Sequence, residues 1–159
     1  MAINLENGAG FQVYLPRLDE AETTQTQSKA PFSPLRVRIL YVDDERQTVE
    51  AGSKLLEHLG CQVTALTSSL AARQVFHDDP QEFDLVITDL AMPMMSGLQL
   101  AADLVELRPD VPIILYSGCS ESISREAARQ LGIREFIRKP ANFLELARAI
   151  RRVLEVEER

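Results

Sequence analysis

The sequence lacks the features that mark several common classes of protein. Its 159 residues include only two cysteines, Cys61 and Cys119, which fit neither a disulfide framework nor a metal site, so we expect a reducing compartment. No apolar run approaches the roughly 20 residues that span a bilayer, and the start, MAINLENGAGFQVYLP, does not resemble a secretory signal. The net charge of −7 leaves no surplus of lysine and arginine for broad nucleic-acid binding. We therefore expect a cytoplasmic chain that contacts neither membrane nor nucleic acid.

The composition changes near residue 35 and divides the chain into three parts. Residues 18–34, LDEAETTQTQSKAPFSP, are polar and acidic and contain two prolines, which is typical of a linker. With 45% hydrophobic and 26% charged residues overall, the chain is able to bury a sizeable core. We expect an N-terminal arm over 1–17, a linker over 18–34 and one globular domain over 35–159.

Strand-like and helix-like segments alternate through this predicted domain. Short apolar runs predict strands over 36–42, 62–66, 83–88, 111–117 and 134–138. Apolar residues at helical spacing predict helices over 45–59, 68–78, 97–107, 121–130 and 142–156. Asn142, with Glu145 three residues later, has the pattern of a capping box. Five βα units in a row predict an α/β fold with a parallel sheet covered by helices on both faces.

The ends of the predicted strands carry the residues most suited to chemistry. The first strand is followed by Asp43, Asp44 and Glu45, the third by Asp89, the fourth ends at Ser117, and the fifth is followed by Lys139. Ligands of open parallel sheets bind in the crevice at the carboxyl ends of the strands, so we expect these side chains to converge. Clustered carboxylates repel one another unless a cation neutralises them, and Mg²⁺ prefers such oxygen ligands.

Four motifs, in order, resemble the receiver domain of two-component signalling proteins. They are ILYVDDE (39–45), DLAMPMMSGLQL (89–100), ILYSG (114–118) and FIRKPAN (136–142), and the resemblance covers residues 36–156. It implies a flavodoxin-like, doubly wound (βα)5 fold with strand order 2-1-3-4-5, the order described for a chemotaxis member of the family. It also implies a phosphodonor partner, either a histidine kinase or a histidine phosphotransfer domain.

The resemblance assigns the acidic residues to one metal and phosphoacceptor site. Asp89 would be the phosphoacceptor, whose carboxylate attacks a phosphohistidine and becomes an aspartyl phosphate. Asp44 and Asp89 would bind Mg²⁺ directly, together with the backbone carbonyl of Ala91. Asp43 would hold a metal-bound water.

Three further residues would contact the phosphoryl group or act as switch residues that respond to it. Lys139 would pair with the phosphoryl oxygens and Ser117 would donate its hydroxyl to them, which suits a transfer that depends on positioning and charge neutralisation. Ser117 and Phe136 would be the switch residues. Ala91 offers no polar side chain to orient an attacking water near the acceptor, so we expect a phosphoryl group that is not especially short-lived.

Simpler structural interpretations stay open at the level of sequence. Asp89 could cap the next helix, although Ser96 lies closer to its start, and Asp43 or Asp44 could cap the first helix. Phe136 could simply pack in the core.

Other functions also stay open. The domain could be a phosphorylation-independent interaction module or a stand-alone response regulator. A phosphohydrolase with an aspartate nucleophile would carry a second aspartate where Ala91 stands, which disfavours that function.

The two ends of the chain suggest its context. FQVYLPRL (11–18) resembles the last strand of the ATP-binding domain of a sensor histidine kinase, so residues 1–17 are either a remnant of that domain or an arm, and the parent would be a hybrid kinase. Without an H-box or nucleotide-binding motifs, this chain is not expected to be an enzyme. The sequence ends with VEER (156–159) at the close of the last predicted helix, so we expect no DNA-binding output domain. The resemblance places the partner surface, including that of a homodimer, on the face formed by 121–156.

Overall fold

The computed structural model describes residues 2–5, 8–11, 34–118 and 125–154, and the chain forms two compact units, 1–32 and 33–159. In the first unit, strand β1 (Ala2–Leu5) pairs antiparallel with strand β2 (Gly8–Phe11). This hairpin is not among the predicted elements, although the Asn-Gly dipeptide at 7–8 is a strong signal for one. The strand predicted over 11–18 lies outside the described residues except for Phe11, which ends β2.

The second unit is built on a five-stranded parallel sheet. Its strands are β3 (Arg38–Val42), β4 (Gln62–Leu66), β5 (Leu85–Thr88), β6 (Ile113–Ser117) and β7 (Ile133–Arg138). They lie in the order β4-β3-β5-β6-β7, which is 2-1-3-4-5 when the strands are counted from Arg38, and all neighbouring pairs are parallel. The predicted doubly wound α/β fold is therefore confirmed.

Five helices connect or follow these strands. They are α1 (Arg46–His58), α2 (Ser69–Asp78), α3 (Gly97–Leu107), α4 (Arg125–Gln130) and α5 (Phe143–Leu154). The predicted capping box forms at α5, where the Asn142 side chain accepts the Glu145 N–H and the Glu145 carboxylate accepts the Asn142 N–H. Residues 121–124 and 155–156 of the predicted helices lie outside the described residues.

The strands are apolar along most of their length because helices cover both faces of the sheet. Alternate residues of β3 divide between two buried clusters. Ile39 and Tyr41 belong to a cluster with α1 and α5, whereas Leu40 and Val42 belong to a cluster with α2, α3 and α4. No helix in the described ranges is both long enough and apolar enough to cross a bilayer.

Candidate functional site

Hydrogen bonds between neighbouring strands align the ends of four strands at one edge of the sheet. Asp89, one residue after β5, donates its backbone N–H to the Val42 carbonyl at the end of β3, over 2.8 Å. Lys139, one residue after β7, donates its N–H to the Ser117 carbonyl at the end of β6, over 3.0 Å. Asp43 directly follows β3 and so lies at the same edge. The parallel arrangement thus gathers residues that are far apart in sequence.

A single ammonium group joins the two aspartates of this edge. Lys139 Nζ donates to Asp43 Oδ2 at 2.5 Å and to Asp89 Oδ1 at 2.6 Å. Asp43 is 1% exposed and Asp89 is 5% exposed, so water screens their charges little. Lys139 therefore supplies the positive charge that two neighbouring buried carboxylates need.

Burial and pairing have opposite effects on the pKa values of Asp43 and Lys139. Burial raises the pKa of the Asp43 carboxyl above its ordinary value, although the hydrogen bonds from Lys139 and from the Glu45 N–H oppose that shift. Burial alone would lower the pKa of Lys139, but its bonds to both aspartates outweigh burial and hold the pKa above the ordinary value. The ammonium is therefore protonated at neutral pH.

The loop that follows Asp89 is closed at its base. Asp89 Oδ2 accepts the Ala91 N–H at 2.7 Å, and the Gly97 N–H donates to the Leu90 carbonyl at 2.9 Å. A Cβ atom on Gly97 would lie 2.0 Å from the Asp89 carbonyl oxygen, so a larger residue requires the Asp89 backbone to move. Gly97 thus allows α3 to begin directly against Asp89.

Helix capping involves Asp43 but not Asp89. Ser96 caps α3 by accepting the Gln99 N–H, so the interpretation of Asp89 as that cap is wrong. The cap residue of α1 is Glu45, which makes no side-chain cap of its own, so neither Asp43 nor Asp44 is that cap residue. Asp43 Oδ1 instead accepts the Glu45 N–H at 3.0 Å while its other oxygen binds Lys139. Asp43 therefore supports the start of α1 and belongs to the acidic site.

The other predicted site residues surround this trio with different exposure. Asp44 and Ala91 are exposed, whereas Ser117 is 9% exposed at the end of β6. Phe136, in β7, is half-buried and packs against the cluster formed with α2, α3 and α4. The ring of Phe136 is therefore part of the core packing.

The donor atoms suit Mg²⁺ without forming a complete cage. Within the described ranges, no three His, Cys, Asp or Glu side chains are arranged to hold a metal ion. Mg²⁺ commonly takes only one or two protein carboxylates and keeps several waters. The buried oxygens of Asp43 and Asp89, with Asp44 exposed beside them, meet that requirement by their chemistry.

Tyr116 belongs to the site but was not singled out by the sequence motifs. Lys139 Nζ lies over its ring, 5.5 Å from the centroid, and its hydroxyl oxygen accepts the Ala141 N–H at 3.3 Å. The Lys139–Pro140 peptide bond between these two contacts is cis. The available sequence signal is an aromatic residue directly before Ser117, on a strand that is otherwise aliphatic.

This fold is that of a family of signalling domains. A family model described as the response regulator receiver domain matches residues 39–151, and the chain belongs to that family. Two-component response regulator ARR12 of Arabidopsis thaliana is 32% identical over 113 residues, which cover 71% of this chain and 19% of that protein. Sensor kinase CckA of Brucella abortus is 28% identical over an alignment of 163 positions, which covers 95% of this chain and 17% of that protein.

The chain spans about a fifth of the length of these curated relatives. Among solved structures, response regulator TrrA of Thermotoga maritima, in complex with Mg²⁺ and BeF, has a TM-score of 0.67 and 30% identity. That likeness covers 74% of this chain and 99% of TrrA. The receiver domain is therefore the unit that this chain shares with its relatives.

Proposed function

We propose that this receiver domain accepts a phosphoryl group on Asp89 from the phosphohistidine of a kinase or of a phosphotransfer domain. The observation that carries the proposal is the pair of bonds from Lys139 Nζ to Asp43 and Asp89 at the carboxyl edge of the sheet. Two buried carboxylates that share one lysine are costly for a purely structural role. The same arrangement suits a carboxylate nucleophile whose product gains negative charge.

The transfer exchanges one covalent bond for another. An Asp89 carboxylate oxygen forms the new bond to phosphorus, and the bond between phosphorus and the donor imidazole nitrogen breaks with its electron pair passing to nitrogen. Lys139 Nζ, which binds Asp89 Oδ1 before transfer, would then bind a phosphoryl oxygen. The Ala91 N–H keeps the other carboxylate oxygen oriented through its 2.7 Å bond. Ser117 would donate its hydroxyl to the phosphoryl group.

The acidic donor set supports a requirement for Mg²⁺, as does the Mg²⁺ in the TrrA structure. Asp44, Asp89 and the Ala91 carbonyl would hold the ion, and Asp43 would hold one of its waters. When bound, the ion would supply positive charge against the oxygens of the transferring group. Lys139 would provide the rest of the neutralising charge from the carboxyl end of β7.

The position of Phe136 supports a structural connection between the site and a partner surface. Its ring packs in the core and also lines a groove of about 530 Å³ with Arg138, Arg148 and Arg152 on β7 and α5. A movement of Ser117 toward the phosphoryl group would bias this face between two arrangements, with a coupling of about 1–3 kcal/mol. The face would contact the phosphodonor, a downstream partner or a second copy of the chain.

The match to CckA supports an origin in a hybrid histidine kinase. It covers 95% of this chain and so extends well beyond the receiver, into residues 1–34. This extension agrees with the likeness of FQVYLPRL to a kinase ATPase strand. Residues 1–17 would then be the end of that ATPase domain, residues 18–34 the linker and 35–159 the receiver, with catalysis residing elsewhere in the parent protein.

The test is the intact mass of the chain after incubation with acetyl phosphate, with and without Mg²⁺. The wild type should gain about one phosphoryl mass in Mg²⁺ and Asp89→Asn should gain none. Asp110→Asn is the matched control, because Asp110 is exposed at the opposite edge of the sheet, before β6.

No gain in the wild type would instead favour a phosphorylation-independent interaction module. An equal gain in Asp89→Asn would place the phosphoryl group on another residue. The adduct should also outlast the removal of acetyl phosphate, because Ala91 offers no polar side chain to activate water. Its loss by the first time point would contradict that expectation.

A further inference from the structure

We propose that Tyr116 is a positioning residue for Lys139, and that its ring holds the ammonium group where it reaches Asp43 and Asp89 together. The effect of Tyr116 on phosphorylation rests on the proposed phosphoacceptor function. The contact itself does not, so the two claims are tested separately below.

The first support is the position of the ammonium group on the ring. Lys139 Nζ lies 5.5 Å from the centroid of Tyr116, within the range in which a cation is attracted to an aromatic face. The lysine stem is flexible, and its side chain is 22% exposed. A wall on one side of the ammonium therefore restricts the conformations in which both carboxylates are reached.

The second support is the hydroxyl of Tyr116, which holds the turn that carries Lys139. Its oxygen accepts the Ala141 N–H at 3.3 Å, two residues after Lys139. The Lys139 N–H is held on the other side by the Ser117 carbonyl, the residue after Tyr116. The end of β6 thus fixes the turn at two points, the N–H of Lys139 and the N–H of Ala141, and Tyr116 contacts both the turn and the lysine side chain.

The third support is the rigid backing of the Tyr116 ring. Tyr41 lies against it with 6.4 Å between centroids and 49° between planes, and Tyr41 is only 1% exposed. The Tyr41 hydroxyl donates to the Thr48 carbonyl of α1 at 3.4 Å. A Cβ atom on Gly52 would lie 2.6 Å from the Tyr41 ring, so α1 packs directly on it. The support for Lys139 therefore runs from α1 through two tyrosine rings.

This arrangement makes separate predictions for the ring and for the hydroxyl. Tyr116→Leu removes the ring and should lower the rate of phosphorylation by acetyl phosphate about tenfold, because the neutralising group loses its orientation. Tyr116→Phe keeps the ring and should stay within about threefold of the wild type. Phe76→Leu is the control, because it removes a ring that stacks on Phe83 in the other cluster. It should lower the thermal midpoint without changing the rate measured well below that midpoint.

A spectroscopic measurement tests the contact without phosphorylation. The chain has only three lysines, so carbon-13 labelling of lysine side chains gives three sets of signals, and Lys139→Arg identifies that of Lys139. The ring should shift the Lys139 ε-methylene protons upfield in the wild type and in Tyr116→Phe. The shift should disappear in Tyr116→Leu and persist in Phe76→Leu.

The outcomes separate this inference from the proposed function. An upfield shift that depends on the ring, together with slower phosphorylation of Tyr116→Leu, supports the inference in full. No shift in the wild type, or a rate in Tyr116→Leu equal to that of the wild type, overturns it. If the wild type accepts no phosphoryl group, the proposed function fails, and the shift alone decides whether Tyr116 positions the lysine.

Discussion

The two edges of the sheet hold an aspartate in opposite ways. At the amino edge, Asp84 precedes β5 and binds Arg38 of β3 through both side-chain bonds, at 2.8 and 3.2 Å, and through the Arg38 N–H at 2.9 Å. Its side chain is 38% exposed, and the hydrogen bond from Arg38 holds its pKa below the ordinary value. At the carboxyl edge, Asp43 is buried and shares Lys139 with Asp89, and burial raises its pKa.

The contrast distinguishes an exposed ion pair that joins two strands from a buried cluster in which two carboxylates share one cation. Asp84 has a cation of its own and is partly accessible to water, so placing its charge in the folded chain costs little free energy. Its ion pair with Arg38 ties β5 to β3. Asp43 and Asp89 share one ammonium group in a buried position, and a perturbed pKa such as that of Asp43 is common at functional sites. The pairing of charges is therefore electrostatically less favourable at the carboxyl edge than at the amino edge.

The largest difference between the edges should appear in phosphorylation. Asp43→Asn should slow the Mg²⁺-dependent mass gain about 100-fold, because it removes one charged group from the site that neutralises and orients the transfer. Asp84→Asn should leave the rate within about twofold of the wild type, because surface charges far from a site act weakly. Equal slowing by both substitutions would show that the edges do not differ in function.

The next difference should appear in stability when the cation is removed. Lys139→Met leaves two buried carboxylates without a counter-charge and should lower the free energy of unfolding by about 3 kcal/mol at pH 7 in EDTA. Urea unfolding measures this loss. Adding Asp89→Asn to Lys139→Met should recover much of it, since one carboxylate then disappears.

Arg38→Met is the comparison at the other edge and should cost far less, because water can solvate Asp84. A loss in Arg38→Met as large as that in Lys139→Met would contradict the contrast between buried and exposed pairing.

The smallest difference should appear in the pH dependence of stability, which Asp43 and Asp84 affect in opposite directions. The pKa of Asp43 is raised by folding, so the wild type loses stability as the pH rises from the ordinary aspartate pKa of about 3.9 through that raised pKa. Relative to the wild type, Asp43→Asn should therefore gain stability over that rise. Urea midpoints in EDTA between acid and neutral pH measure the difference.

For Asp84 the sign is reversed. Its pKa is lowered by folding, so its contribution is present above about 3.9 and is lost as the pH falls through the lowered pKa. Asp84→Asn should cost well under 1 kcal/mol at neutral pH, because the pair is exposed, and nothing in strong acid. If the stabilities of the two variants changed with pH in the same way, the opposite pKa shifts of Asp43 and Asp84 would be refuted.

Much of the fold follows from local pattern. The predicted helix over 97–107 and the predicted strand over 62–66 match α3 and β4, and the capping box at Asn142 forms as expected. The other strand and helix bounds in the described residues differ by a few positions, as is usual where ends fray. The convergence of Asp43, Asp89 and Lys139 also follows, because parallel strands present their carboxyl ends together.

What sequence could not supply is the side-chain geometry between distant residues. Lys139 is 96 positions from Asp43 and 50 from Asp89, and no local pattern states that one ammonium reaches both. The same holds for the ring of Tyr116 beneath that ammonium and for the packing of Tyr41 behind it. The cis Lys139–Pro140 bond likewise depends on tertiary context, since X-Pro bonds adopt either isomer at modest cost.

The closed base of the loop after Asp89 has a consequence for protein engineering. The base of the loop is fixed by the hydrogen bond from Gly97 to Leu90 and by the close packing of Gly97 on Asp89. The number of residues at the tip of the loop therefore does not determine the position of Asp89. Met94, 88% exposed at the tip, marks a place for inserting a short tag or a fluorophore attachment site. Doubling the length of such a loop adds only about 0.6 kcal/mol of closure cost. A reporter grafted there would lie beside Asp89, the proposed phosphoacceptor, while the backbone that carries Asp89 stays in place.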